Sequence, residues 1–221
     1  YAGQGGRSHR GQPHEMATDL AVFTRVGVQR VMRYAFELAR SRPRKLLTVV
    51  TKSNAQRYGM VMWDEIFDVV KVDYPDVQTD RMLVDAMTTR MVLDPKSLDT
   101  IVATNLHADI LSDLAAALSG SMGIAPTANL RPEKDFPSMF EPIHGSAFDI
   151  MGQGIANPIG AFWSASMMLE DLGEYPAAAR LIAAIERVTA AGRVMPRDLG
   201  GEATTRQVTD AVIEALRSAN D

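Results

Sequence analysis

Asp109 and Asp113 stand four residues apart in Asn105-Leu106-His107-Ala108-Asp109-Ile110-Leu111-Ser112-Asp113, a run that follows an apolar segment and enters a helical pattern. On a helix this spacing puts both carboxylates on one face. Like charges so placed repel each other unless a cation sits between them, and oxygen-only ligands suit a hard ion such as Mg²⁺ or Mn²⁺. The same pair also reads as a solvated helix start, where the dipole favours Asp, and spacing alone does not choose. Asp85, in Leu83-Val84-Asp85-Ala86-Met87, is open to two readings as well: a ligand, or the N-terminal cap of a helix. Lys52 follows the apolar run 46–50, and carboxyl ends of parallel strands are where open α/β sheets hold ligands. A lysine there binds a carboxylate or acts as a base; the plain alternative is an exposed loop lysine.

A second group lies in Glu141-Pro142-Ile143-His144-Gly145-Ser146-Ala147-Phe148-Asp149-Ile150, followed by Ile155-Ala156-Asn157-Pro158. Such a loop can wrap a nucleotide, with Asp149 accepting from ribose hydroxyls, although His144 and Asp149 also fit ordinary turn chemistry. No Lys or Arg occurs between Phe140 and Trp163 to meet an extra phosphate. Gly152-Gln153-Gly154 lacks the strand–glycine–helix setting of a dinucleotide fingerprint.

The elements that must position these groups alternate. Residues 2–13 read as a loop or arm, with 17–23 a strand of it. Thr24 caps a helix in which Val28, Val31, Met32, Ala35, Leu38 and Ala39 recur at helical spacing, stopped by Pro43. Strands are expected over 46–50, 77–83 and 98–104, and helices over 60–74, 84–93 and 108–118. Strands alternating with helices predict an α/β layered fold with a largely parallel sheet. A Pro- and Gly-rich stretch covers 121–158. Three helices follow: one capped by Asn157 with Pro158 at its first position, one from about Pro176 to Gly192, and one capped by Thr204. Gly200 to Thr205 reads only as the turn and cap of that last helix.

The chain has 221 residues and a formal net charge of −4, which gives no sign of a nucleic-acid or membrane surface. An acidic substrate must then be met by local cations. The absence of cysteine excludes disulfides and zinc–thiolate sites. No apolar run approaches the ~20 residues a membrane span needs. The sequence opens on Tyr1-Ala2-Gly3 without an initiator Met or signal peptide, and is expected to start inside a longer chain.

In their order, these pieces resemble the β-decarboxylating dehydrogenases, the family of isopropylmalate, isocitrate, D-malate and tartrate dehydrogenases. The resemblance covers essentially the whole chain. Its most specific parts are residues 105–113, 141–158 and Asp198-Leu199-Gly200-Gly201. Thr51-Lys52-Ser53-Asn54, the arm 5–23 and Arg42-Pro43-Arg44-Lys45 look most like the tartrate/D-malate branch. The resemblance implies an α/β, isopropylmalate dehydrogenase-like two-domain layered fold lacking the family's N-terminal strands and helices. Residues 1–120 would form an α/β dimerisation and catalytic domain with an N-terminal arm, and 121–221 part of the NAD-binding domain. By the same resemblance Tyr1, Lys52 and Asp85 are catalytic, and Asp85, Asp109 and Asp113 hold Mn²⁺ or Mg²⁺. Glu141, His144, Gly145, Ser146, Ala147, Asp149, Ile150 and Asn157 would bind NAD. A homodimer with shared sites is implied, Lys52 and Asp85 serving the partner's site. The implied activity is cytoplasmic oxidation, with or without decarboxylation, of a small 2-hydroxy diacid, tartrate or D-malate. 3-Isopropylmalate as substrate, and a non-catalytic truncated subunit, are the alternatives.

Overall fold

The structure is a computed structural model and describes residues 4–218. The Gly-rich start folds back on itself. β1, Gly5–Ser8, pairs antiparallel with β2, Met16–Asp19, Gly5 opposite Asp19, and every residue of both strands is exposed. β2 ends at Asp19, short of the expected 17–23. α1, Arg25–Ser41, begins where Thr24 Oγ1 accepts from the Gly27 N–H at 3.2 Å. It buries Val28, Met32, Ala35, Phe36 and Ala39. Val31 and Leu38, expected on that face, are partly exposed; Phe36 takes the inner position by stacking on Phe67 and Tyr74.

β3, Leu46–Thr51, is buried along nearly its whole length, as a central parallel strand should be. α2, Gly59–Lys71, returns the chain to β4, Gln78–Leu83. α3, Val84–Leu93, and a 3-10 turn, Pro95–Ser97, lead to β5, Thr100–Val102. The sheet order is β4-β3-β5, all parallel. Leu47 and Val49 pack with Met32, Phe36, Met60, Trp63 and Phe67 from α1 and α2. The expected strand 98–104 shrinks to three residues: 98–99 connect the 3-10 turn to β5, and 103–104 lead into α4. α4, Asn105–Leu118, begins three residues earlier than its apolar pattern suggested.

The chain divides into two compact units, Tyr1–Leu111 and Ser112–Asp221. In the second, the Pro-rich stretch holds a hairpin that its composition hid: β6, Pro126–Asn129, antiparallel to β7, Met139–Pro142. The helices α5, Ile159–Asp171, α6, Tyr175–Ala191, and α7, Thr205–Arg217, pack around Ile159, Ile185, Val188, Val208 and Val212. α7 starts with a reciprocal capping box between Thr204 and Gln207. Among the described residues no helix is long and apolar enough to cross a membrane.

Candidate active site

All three parallel strands deliver polar side chains at the same, carboxyl, edge. Thr51 pairs with Leu83 at the ends of β3 and β4, so Lys52 and Asp85 emerge side by side. The Lys52 Nζ donates to Asp85 Oδ1. This ammonium, helped by backbone hydrogen bonding, holds the Asp85 carboxyl below the usual carboxylate range. Asp85 is therefore not the cap of α3: the N-cap is Leu83, without a side-chain bond, and Asp85 lies in the first turn with its carboxylate on Lys52.

β5 feeds α4, which carries His107, Asp109 and Asp113. Because α4 begins at Asn105, Asp109 falls outside its first turn. Among the described residues no three His, Cys, Asp or Glu side chains of this chain converge as a metal-holding group.

Sequence reasoning assigned nothing to His107. It is buried, and its Nδ1 has no hydrogen-bond partner. Burial first, and the Lys52 charge second, push its pKa below the ordinary value of 6.5. The unfolded chain then binds a proton more readily than the folded one, so stability falls as pH drops through the unfolded value. The urea midpoint should fall between about pH 7 and about pH 5.5, and His107→Gln should flatten that fall. Equal slopes for both proteins would show that His107 is not the group responsible.

In the second unit a cavity of about 540 Å³ is lined by His144, Gly145, Ala147, Ile150 and Asn157 from the loop that sequence analysis singled out. Its walls are mostly apolar, and its size suits the adenosine end of a dinucleotide. Ala147 holds a left-handed φ of 44° at the turn that shapes this wall. Glu141 lies in β7 opposite Thr127, and neither it nor Ser146 or Asp149 lines the cavity; the Asp149 carbonyl accepts from the Gln153 side chain at 2.8 Å. The start of α5 lies one residue later than expected: Pro158 is the N-cap and Ile159 the first helical residue, while Asn157 Oδ1 accepts from the Ile159 N–H at 2.9 Å from just outside the helix.

Arg197, Asp198 and Ser121 line the same cavity and were missed as site residues. The loop itself has no Lys or Arg, as expected, but the fold brings Arg197 to the same cavity from 34 or more residues beyond. The Asp198-Leu199-Gly200-Gly201 motif is among the specific parts of the resemblance, but the resemblance gives no role to its residues. Tyr1 lies outside the described residues.

Comparison with known proteins then bears on this arrangement. The sequence pattern of the isocitrate/isopropylmalate dehydrogenase family matches residues 1–212. A probable tartrate dehydrogenase/decarboxylase of Agrobacterium vitis is 70% identical over 220 residues, covering 100% of this chain and 60% of that protein. The decarboxylating D-malate dehydrogenase of Escherichia coli is 48% identical, over 98% of this chain and 61% of its own length. The crystal structure of isocitrate dehydrogenase from Methylococcus capsulatus superposes with a TM-score of 0.87 at 40% identity, covering 91% of this chain and 59% of that one. The chain thus spans about three fifths of the length of the curated relatives it matches.

Proposed function

The chain belongs to the isocitrate/isopropylmalate dehydrogenase family, and we propose that it serves the NAD-linked, divalent-metal-dependent oxidation of a small 2-hydroxy diacid, tartrate or D-malate. The observation that carries this is the Lys52–Asp85 pair at the carboxyl edge of the parallel sheet, next to the strand that leads into the Asp109/Asp113 helix. Identity of 70% to a probable tartrate dehydrogenase/decarboxylase supports the substrate class.

In this scheme residues 1–120 carry catalysis and dimerisation, and 121–221 carry the nucleotide cavity. Asp109 and Asp113 of one copy and Asp85 of a second would hold Mn²⁺ or Mg²⁺, a donor set of oxygens that fits a hard cation. Bound there, the ion supplies Lewis acidity to the substrate's hydroxyl and ketone oxygens. Lys52 would take the proton from the 2-hydroxyl, and NAD, when bound, would supply the hydride acceptor for C2. Tyr1 returns a proton to C3 once carbon dioxide has left. Residues 144–157 orient the nucleotide. A homodimer follows from sharing Lys52 and Asp85 across copies. A cytoplasmic location goes with drawing on the intracellular NAD pool.

The test is NADH formation by the whole protein with tartrate, D-malate and 3-isopropylmalate, each with Mn²⁺ and with a chelator. We expect kcat/KM for tartrate or D-malate to exceed that for 3-isopropylmalate by roughly a hundredfold, since a site for a compact polar diacid leaves the isopropyl group unhoused. Preference for 3-isopropylmalate would move the assignment to that substrate, and no turnover of any of the three would overturn it.

A further inference from the structure

We propose that Asp198 is a positioning residue of the nucleotide cavity, whose carboxylate ties three separate lining segments together and holds the cavity in its binding shape. The proposal rests on reading that cavity as the NAD site. Asp198 Oδ2 accepts from the Ser121 hydroxyl and from Asn157 Nδ2, the latter at 2.8 Å. These partners lie 77 and 41 residues away in sequence. Each is itself committed elsewhere: Ser121 Oγ accepts from the Gly123 N–H at 2.8 Å, and Asn157 Oδ1 accepts from the Ile159 N–H at 2.9 Å. One oxygen therefore joins the 121–123 turn, the entry to α5 and the 197–199 turn.

The packing leaves this junction no slack. A Cβ on Gly123 would lie 2.5 Å from Asp198 Oδ2 and 3.0 Å from Asn157 Cβ, and one on Gly160 would lie 2.9 Å from the Gly123 carbonyl oxygen. The turn that presents Asp198 is equally constrained. Gly200 sits at φ 81° and its N–H donates to the Arg197 carbonyl at 3.0 Å. A Cβ on Gly201 would meet the Met195 carbonyl oxygen at 2.0 Å. The Asp198-Leu199-Gly200-Gly201 motif thus has a physical account: two glycines permit a tight turn, and the turn aims one carboxylate at two lining segments.

A brace acts on binding before chemistry, and this separates it from a residue that merely supports folding. In the whole protein, Asp198→Ala should raise the dissociation constant of NADH, followed by its fluorescence, about tenfold, the value of one charge-assisted hydrogen bond. The KM for NAD should rise with it while kcat falls far less. Gly123→Ala, which pushes the carboxylate away from the opposite side, should do the same. Asp198→Asn keeps the shape and one acceptor oxygen, so it should give a smaller shift in the same direction and serves where the alanine variant fails to fold. A lowered kcat with NADH affinity and KM unchanged in all three variants would overturn the brace. Ile150→Arg, which fills the cavity, distinguishes the two levels. If it abolishes NADH binding while the Asp198 variants bind normally, only the brace fails. If NADH binding survives it, the cavity is not the NAD site and the proposal falls with that reading.

Discussion

Asp109→Asn should lower kcat/KM for the diacid by about a thousandfold or more at ordinary Mn²⁺ concentration, with Asp113→Asn close behind. One helical turn of α4 separates the two residues. Two carboxylates one turn apart on an exposed face are a spacing at which one hard cation can take an oxygen from each. An amide keeps the shape and one oxygen but loses the charge that holds a hard cation and sets its affinity. Both residues are exposed, so neither change should disturb the core. The variants should therefore unfold at nearly the wild-type urea concentration while losing turnover, and saturating Mn²⁺ should restore part of it. The check is turnover after chelation and stepwise metal add-back, alongside urea melts. Full activity of Asp109→Asn under that regime would remove the pair from the metal site. Asp85→Asn differs in kind, because it also releases Lys52 from its ion pair. Its loss should not be restored by metal alone.

The difference between what the chain announced and what it concealed is one of range. β3 was legible because a continuous β-branched run can only be a buried strand or a short piece of buried helix, and its length selects the strand. The starts of α1 and α7 were legible because Thr24 and Thr204 act on amides three residues away. The meeting of Lys52 and Asp85 was half legible: the rule for carboxyl ends of parallel strands puts both on one edge, but the register that makes them touch is a tertiary fact. The β6–β7 hairpin was concealed by proline and glycine, which composition assigns to loops. His107 was passed over because a single histidine on a helix carries no pattern, and its meaning comes only from burial beside Lys52. Arg197 and Asp198 were furthest out of reach, since the turn that aims them at the loop 144–157 lies beyond two intervening helices.

That last displacement bears directly on cofactor choice, where NAD should be preferred over NADP by about a hundredfold in kcat/KM. A carboxylate beside the adenine ribose accepts from both hydroxyls of NAD and repels the 2′-phosphate of NADP. Asp149 does not line the cavity, but its neighbour Ile150 does and offers no charge to a phosphate; the preference requires the Asp149 carboxylate to turn to the ribose of bound NAD. Two hydrogen bonds to a charged acceptor, lost together with a like-charge approach, amount to roughly 3–4 kcal/mol. Arg197 works in the opposite sense, since it lines the same cavity. Arg197 is exposed, so an ion pair with a phosphate there returns only about 1 kcal/mol. The balance of roughly 2.7 kcal/mol is the hundredfold. Arg197→Ala should therefore widen the preference about fivefold, by weakening NADP alone. Asp149→Lys should narrow it by well over tenfold, by removing the repulsion and adding a cation. The measurement is kcat/KM for each cofactor with saturating diacid and Mn²⁺, in the wild type and both variants. A wild-type ratio near one, or an Asp149→Lys enzyme no better with NADP, would show that Asp149 does not face the ribose. A preference that collapses in Arg197→Ala would instead make Arg197 a ligand of the diphosphate that both cofactors share.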